Sequence, residues 1–269
     1  MTVLRVALAQ VSAGTDPGAN AALVEDALGR AAAAGARLVI FPEATMCRFG
    51  VALGPIAEPL DGPWADRVAA AAQRAGVHMV AGMFTPGTDG RRVRNTLLYA
   101  APDGARVGYD KIHLFDAFGF AESRTVEPGS RAVIVTVDGV AVGLSTCYDL
   151  RFPRLYTALA DAGASVIVTP ASWGDGPGKL DAFVTLARAR ALDSTTFVVA
   201  VDQARPAEPD PTGAPLGVGG SLAVGPDGRV LASAGDAPEL LIVDLPIDRI
   251  DEVRATVAVL ANRREFTVA

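Results

Sequence analysis

The chain has 269 residues, half of them hydrophobic and a fifth charged, which supplies apolar surface for a large core and argues against disorder. Its net charge of −6 comes with no long basic run, so nucleic acid is not an expected partner, because phosphate contacts need clustered Lys and Arg. Two cysteines, Cys47 and Cys147, are too few for a disulfide framework, no run approaches the ~20 apolar residues that span a bilayer, and "MTVLRVALAQV" has no leader character, so a reduced cytoplasmic protein with no membrane partner is expected.

In chain order, "VLRVALAQV" (3–11) reads as a strand. The next segment (16–35) reads as a helix, with Asp16 as its cap, Pro17 in its first turn and Gly35 at its end. "ARLVIFPEA" (36–44) is a continuous apolar strand of the kind buried on both faces. A helix (62–76) and a strand (77–84) follow. Residues 94–111 read as a hairpin turning at Pro102-Asp103-Gly104, and residues 132–147 as a second hairpin around Asp138-Gly139. A helix (152–163), a strand (164–172), a helix (179–195) and a strand (196–203) come next. A Pro-rich loop (204–217), a last hairpin (220–235) and the segment 239–254 close the chain. No linker divides it, so residues 1–269 are expected to form one domain. "RRVR" (91–94) reads as a solvated turn, and "GVGGS" (217–221) as a tight loop.

There is an internal echo. "AGARLVIFPEA" from Ala34 resembles "AGASVIVTPAS" from Ala162, and "RVALAQ" from Arg5 resembles "AVGLST" from Ala141. Each pair places a strand beside a helix in the same order. The expected architecture is therefore two similar halves with their sheets face to face and helices outside, a four-layer α/β/β/α sandwich.

Polar residues that follow buried strands are the candidate site, because loops at strand carboxyl ends can converge. Glu43 follows "LVIFP", Lys111 follows "VGYD", and Cys147 follows "VGLST". Cys147 at a strand-to-helix corner could be core filler, a metal ligand or a nucleophile. As a nucleophile it would have the Tyr148 backbone N–H nearby to meet an oxyanion, and a helix start nearby to favour the thiolate. The base could be His113, two residues past Lys111, or Glu43, whose partial desolvation suits it to that task. His78, inside "GVHMV", reads as a packed strand residue, and Cys47 as structural. The metal reading has no Cys-x-x-Cys or His-x-x-x-His to support it, and no phosphate loop is present.

"LVIFPEA" around Glu43, "GYDKIHLFD" around Lys111 and "STCYDLRFPRLY" around Cys147 resemble the three signatures of the nitrilase, or carbon–nitrogen hydrolase, superfamily. The resemblance extends through "RNTLLYAAPDG", "ESRTVEPG", "RARALDSTTFVVAV" and "GGSLAVGPDGRV". It implies an αββα sandwich, usually paired as a homodimer. It also implies Glu43 as general base, Cys147 as nucleophile and Lys111 as stabiliser of the tetrahedral intermediate, with the Tyr148 amide completing the oxyanion hole. Glu122 occupies the place of the family's second, positioning glutamate. No cofactor or metal is implied. "KIHLFD" and the compact length look most like the ω-amidase and deaminated-glutathione amidase branch, which cuts amides of small carboxylates. N-carbamoyl amide hydrolases and nitrilases of the same superfamily are the alternative, and a non-catalytic binding protein on this fold is a third reading, against which the intact Glu43, Lys111 and Cys147 argue. Trp173, in "PASWGDGPGK" with Lys179, is the expected pocket wall, and Arg151 either meets a substrate carboxylate or pairs with Asp149.

Overall fold

The first half of the chain builds β1 (Val3–Gln10), α1 (Pro17–Ala33), β2 (Leu38–Ile40), α2 (Pro63–Ala75), β3 (His78–Pro86), β4 (Val93–Ala100) and β5 (Arg106–Asp110). The second builds β6 (Val133–Val137), β7 (Val140–Leu144), α3 (Pro153–Asp161), β8 (Val166–Ala171), α4 (Lys179–Ser194), β9 (Phe197–Asp202), β10 (Leu222–Val224), β11 (Val230–Ser233), β12 (Glu239–Pro246) and α5 (Arg249–Thr256). This computed structural model describes residues 2–207 and 213–268. Part of the Pro-rich loop, residues 208–212, lies outside the described residues.

Local chemistry sets the helix ends as the sequence predicts. The Asp16 carboxylate accepts the Gly18 N–H at 2.8 Å, and Pro17 starts α1 where a missing N–H costs nothing. After α2, Gly76 takes a left-handed conformation and closes the helix. One strand is shorter than expected. Only Leu38–Ile40 of the apolar run is strand, because Pro42 has no N–H to give a ladder and Ala44 turns left-handed at φ 57°. That early exit leaves Glu43 in a turn beyond the strand rather than in the ladder.

The strands form two six-stranded sheets, in the orders β12-β1-β2-β3-β4-β5 and β11-β10-β9-β8-β7-β6. In the first, β1, β2 and β3 are parallel, flanked by antiparallel β12 on one side and antiparallel β4 and β5 on the other. The second repeats this pattern: parallel β7, β8 and β9, antiparallel β6 on one side and antiparallel β10 and β11 on the other. The echo read in the sequence is thus a repeat of topology.

Three buried clusters mark the layers. One joins the sheets face to face, with Val6, Leu8 and Ile40 of the first against Val142, Val168 and Val199 of the second. Another packs the outer face of the first sheet on α1 and α2 through Val24, Leu28 and Val68. The third packs the second sheet on α3 and α4 through Tyr156, Leu159 and Phe183. Apolar burial on both faces accounts for the unbroken hydrophobic runs of the parallel strands. No helix among the described residues is long and apolar enough to cross a membrane.

Candidate active site

The carboxyl ends of β2, β5, β7 and β8 converge on one buried spot. Glu43 lies just past β2, Lys111 just past β5, Cys147 past β7 and Ser172 past β8. All three charged or reactive groups of the sequence reading are there, and all are nearly inaccessible: Glu43 is 0% exposed, Lys111 2% and Cys147 7%. Glu122, from a short turn at 122–124, joins them at 6%.

Lys111 Nζ lies 2.9 Å from Glu43 Oε1 and 2.9 Å from Glu122 Oε2. Asn95, on β4, donates its Nδ2 to the same two carboxylates at 2.7 and 3.1 Å. The remaining Glu43 oxygen accepts the Ser172 N–H at 2.9 Å, and Glu122 Oε2 also accepts the Phe115 N–H at 2.6 Å. Every bond fixes a side chain that the chemistry would need still. Burial works against a charged Lys111, but Glu122 and Glu43 outweigh it and hold its pKa well above the usual amine range.

Cys147 has φ +47°, a left-handed conformation that costs a non-glycine residue about 1 kcal/mol and is held here by its surroundings. The residues 147–151 form a short 3-10 turn before α3. The Tyr148 N–H stands at the second position of that turn, among the first donors of a helical segment, which have no partner within it. The turn is tied down by Asp149, whose carboxylate accepts the Thr146 N–H at 2.9 Å, the Tyr109 hydroxyl at 2.5 Å and the His113 N–H at 3.0 Å. One residue thus locks the cysteine corner to the lysine segment.

One expectation is reversed. The nearby helix start does not leave the thiol ionised: burial first, and then the Glu43 charge, push its pKa well above the ordinary thiol range, with Lys111 pulling the other way. The resting cysteine carries its proton beside a carboxylate.

A pocket with mostly apolar walls opens onto these groups. Phe49, Phe115, Phe120, Tyr148 and Trp173 line it, with Arg151 and Lys179 among them. Trp173 stands where the sequence places a wall, packed on Phe183 and donating its Nε1–H to the Lys179 carbonyl at 3.1 Å. Arg151 does not find Asp149, whose oxygens are taken as above. Its guanidinium lies 5.3 Å from the centre of the Trp173 ring. The Lys179 ammonium rests 3.6 Å from the centre of the Phe118 ring. Burial and the charge of Arg151 lower the Lys179 pKa.

The other candidates fall outside the pocket wall. His113 Nδ1 lies 2.6 Å from Asp149 Oδ1 and its ring stacks on Phe152 at 3.6 Å. His78 is buried, with Nδ1 2.7 Å from the Tyr99 hydroxyl. Cys47 is buried, and burial raises its pKa. Within "RRVR", Arg92 pairs with Asp89, while Arg94 pairs with Asp110 and Glu127 and is less solvated than a simple turn would be. Among the described residues no cluster of His, Cys, Asp or Glu could hold a metal. Asn95, Ser172, Asp202 and Gln203 were not singled out from the sequence. The usable signal was an acid and an amide ending the apolar run "FVVAVDQ", and an asparagine inside the strand-like "RNTLLY".

The carbon–nitrogen hydrolase family model matches residues 5–255. Hydrolase Rv0480c of Mycobacterium tuberculosis is 54% identical over 98% of this chain and 96% of its own length. The deaminated glutathione amidase of Escherichia coli O157:H7 is 34% identical, covering 91% of each chain. The human omega-amidase NIT2 is 29% identical over 98% of this chain and 96% of its own. Saccharomyces cerevisiae Nit3, a nitrilase-superfamily structure, aligns with TM-score 0.86 and 25% identity over 98% of this chain and 97% of that one. A glutamate-to-glutamine mutant of the amidase from Nesterenkonia sp. AN1 aligns with TM-score 0.79 and 27% identity over 95% of this chain and 98% of that one. It shows Michael addition of acrylamide at its active-site cysteine.

Proposed function

The chain belongs to the carbon–nitrogen hydrolase family, and from that premise we propose that it is a cysteine amidase that cleaves the amide of a small carboxylate through a thioester on Cys147. The observation that carries this reading is the buried Glu43–Lys111–Glu122 cluster beside Cys147 at the foot of one pocket. A buried cation bridging two carboxylates beside a reactive side chain is costly as mere structure.

The charge states support a sequence of steps. Cys147 holds its proton, Lys111 is cationic, and the Glu43 charge reaches the sulfur. Glu43 takes the thiol proton as sulfur attacks the amide carbonyl carbon. Negative charge gathers on the carbonyl oxygen, where Lys111 Nζ and the Tyr148 N–H stabilise it. Glu43 returns the proton to the leaving nitrogen, the C–N bond breaks, and ammonia or an amine departs to leave the thioester on Cys147. Glu43 then takes a proton from water as the water oxygen attacks the thioester carbon, the C–S bond breaks, and Glu43 hands the proton to the departing sulfur, releasing the acid and restoring the thiol. Glu122 holds Lys111 in place and keeps its charge.

The substrate end of the reading rests on Arg151 and Lys179. Beyond the Glu43–Lys111–Glu122 cluster these two cations share the pocket wall with Phe49, Phe115, Phe120 and Trp173, an arrangement suited to a short chain ending in a carboxylate. Trp173 packs against that chain. The names of the Escherichia coli and human relatives point the same way.

The test is ammonia release from a panel of ω-amides of short dicarboxylates, deaminated glutathione, N-carbamoyl amino acids and simple nitriles, with wild type beside Cys147→Ala. Turnover of the carboxylate amides that vanishes in the variant is expected. Turnover confined to N-carbamoyl compounds or nitriles replaces the substrate class. Activity that survives in Cys147→Ala removes the mechanism.

A further inference from the structure

Asp202 ends β9 with no exposure to solvent, and no described ion pair joins it to a cation. Its two carboxyl oxygens take two backbone donors from different segments. Oδ1 accepts the Trp173 N–H at 2.8 Å, and Oδ2 accepts the Val218 N–H at 2.7 Å. A buried acid without a cation is expensive, so what it holds matters.

The Trp173 N–H belongs to the peptide unit whose carbonyl is that of Ser172. In a trans peptide the two point in opposite directions. With the N–H fixed on Asp202, the Ser172 carbonyl is aimed the other way, where it meets Cys147 Sγ at 4.0 Å. The N–H of Ser172 donates to Glu43 Oε2. Residue 172 therefore touches both the base and the sulfur, and its orientation is set from behind by Asp202. The second oxygen fastens Val218 and with it the 215–217 segment, where the Pro215 carbonyl accepts the Ser172 hydroxyl at 2.6 Å. Both sides of Ser172 lead back to one carboxyl group.

We propose that Asp202 is a further positioning residue of this site, in addition to Glu122, acting through the Ser172–Trp173 peptide to hold Glu43 and Cys147 at reacting distance. The proposal rests on the catalytic roles given above. It also explains the residue type. A carboxyl group presents two oxygen acceptors, whereas an asparagine of the same shape presents one and turns an N–H₂ towards a backbone N–H. Burial, with the Glu43 charge behind it, pushes the Asp202 carboxyl up to about 8 although backbone N–H groups favour its ionised form.

The experiment compares wild type, Asp202→Asn and Ser221→Ala. Ser221 is the control. Its hydroxyl accepts the Asp202 backbone N–H at 2.9 Å and donates to Gln10, but it holds neither Trp173 nor Val218. Asp202→Asn is expected to lower kcat by roughly 10- to 100-fold with KM changed less than about threefold. The midpoint of iodoacetamide alkylation of Cys147 against pH is expected to move by about half a unit or more. Ser221→Ala moves neither, whatever it does to the melting temperature. A folded Asp202→Asn protein with wild-type kcat and alkylation midpoint overturns the proposal. The alkylation arm needs no substrate, so it still decides if no amide is turned over and the functional reading itself fails. If Asp202→Asn does not fold, hydrogen exchange on wild type decides. Trp173 and Val218 amides as protected as the strands support the staple, and exchange at open-loop rates refutes it.

Discussion

Proton ownership at Cys147 is the residue-scale question. Glu43 has opposite effects on two measurable quantities. As the proposed base it would accelerate turnover, and as a neighbouring negative charge it raises the thiol pKa. Glu43→Gln is therefore expected to lose about 10³-fold or more in kcat while Cys147 stays alkylatable near neutral pH, and faster than in wild type. Parallel loss of turnover and alkylation would contradict it. Lys111→Met is expected to fail differently. It leaves Glu43 and Glu122 buried with no cation between them, so the melting temperature should fall along with activity. Glu43, Lys111, Cys147 and Glu122 were legible in the sequence because each is a polar residue in a motif, three of them at strand ends. Asn95 was not, since an asparagine inside a strand points to solvent or to a site depending on pairing, which residue order does not carry.

At the scale of elements, the site depends on where strands stop. Glu43 leaves β2 early, and the space for that exit comes from Gly82 on β3. A Cβ at Gly82 would stand 2.5 Å from Ala44 N and 2.8 Å from Glu43 Cα. Gly82→Ala is expected to displace the base, lowering kcat by roughly 10-fold or more and stability by about 1–3 kcal/mol. Denaturant unfolding beside steady-state kinetics checks both, and a neutral result on both would show that the turn can shift freely. Helices and hairpins were predictable because caps and turns act over a few residues, as Asp16, Pro17 and Asp138-Gly139 do. The truncation of β2 was not, because its apolar run continues through Phe41, which is buried without being strand. The state of the thiol was missed for a related reason. A helix start is local and visible, whereas burial under two sheets is a property of the assembled fold.

For the molecule as a whole, two sheets of matching strand order meet across one apolar layer, and the site sits where the parallel strands of both end. The short echoes "LVIFPEA" and "VIVTPAS" were the visible trace of this repeat, because β2 and β8 have the same place in their sheets. Which residues cross from one half to the other was hidden. Gln203, at the end of β9, donates to the Glu43 carbonyl, and the Ser172 N–H after β8 donates to the Glu43 carboxylate, each from more than a hundred residues away. Asp202 also marks global stability. Its folded pKa of about 8 lies above the ordinary 3.8, so between those values the folded state keeps a proton that the unfolded state releases. The folded chain then binds more protons, and stability falls as pH rises through this window. Urea unfolding at about pH 5 and pH 8 should show wild type losing stability relative to Asp202→Asn over that interval. A constant difference between the two would place the Asp202 pKa outside the window.

A cysteine amidase working as proposed passes through a covalent acyl group on Cys147. The most direct test is acid-quenched peptide mass spectrometry during turnover of the best amide from the panel. The peptide containing Cys147 is expected to gain the mass of the acyl group less one hydrogen, and to lose that gain as substrate is exhausted. Turnover with Cys147 unmodified at every time point, or an acyl group found on Cys47 instead, would contradict it.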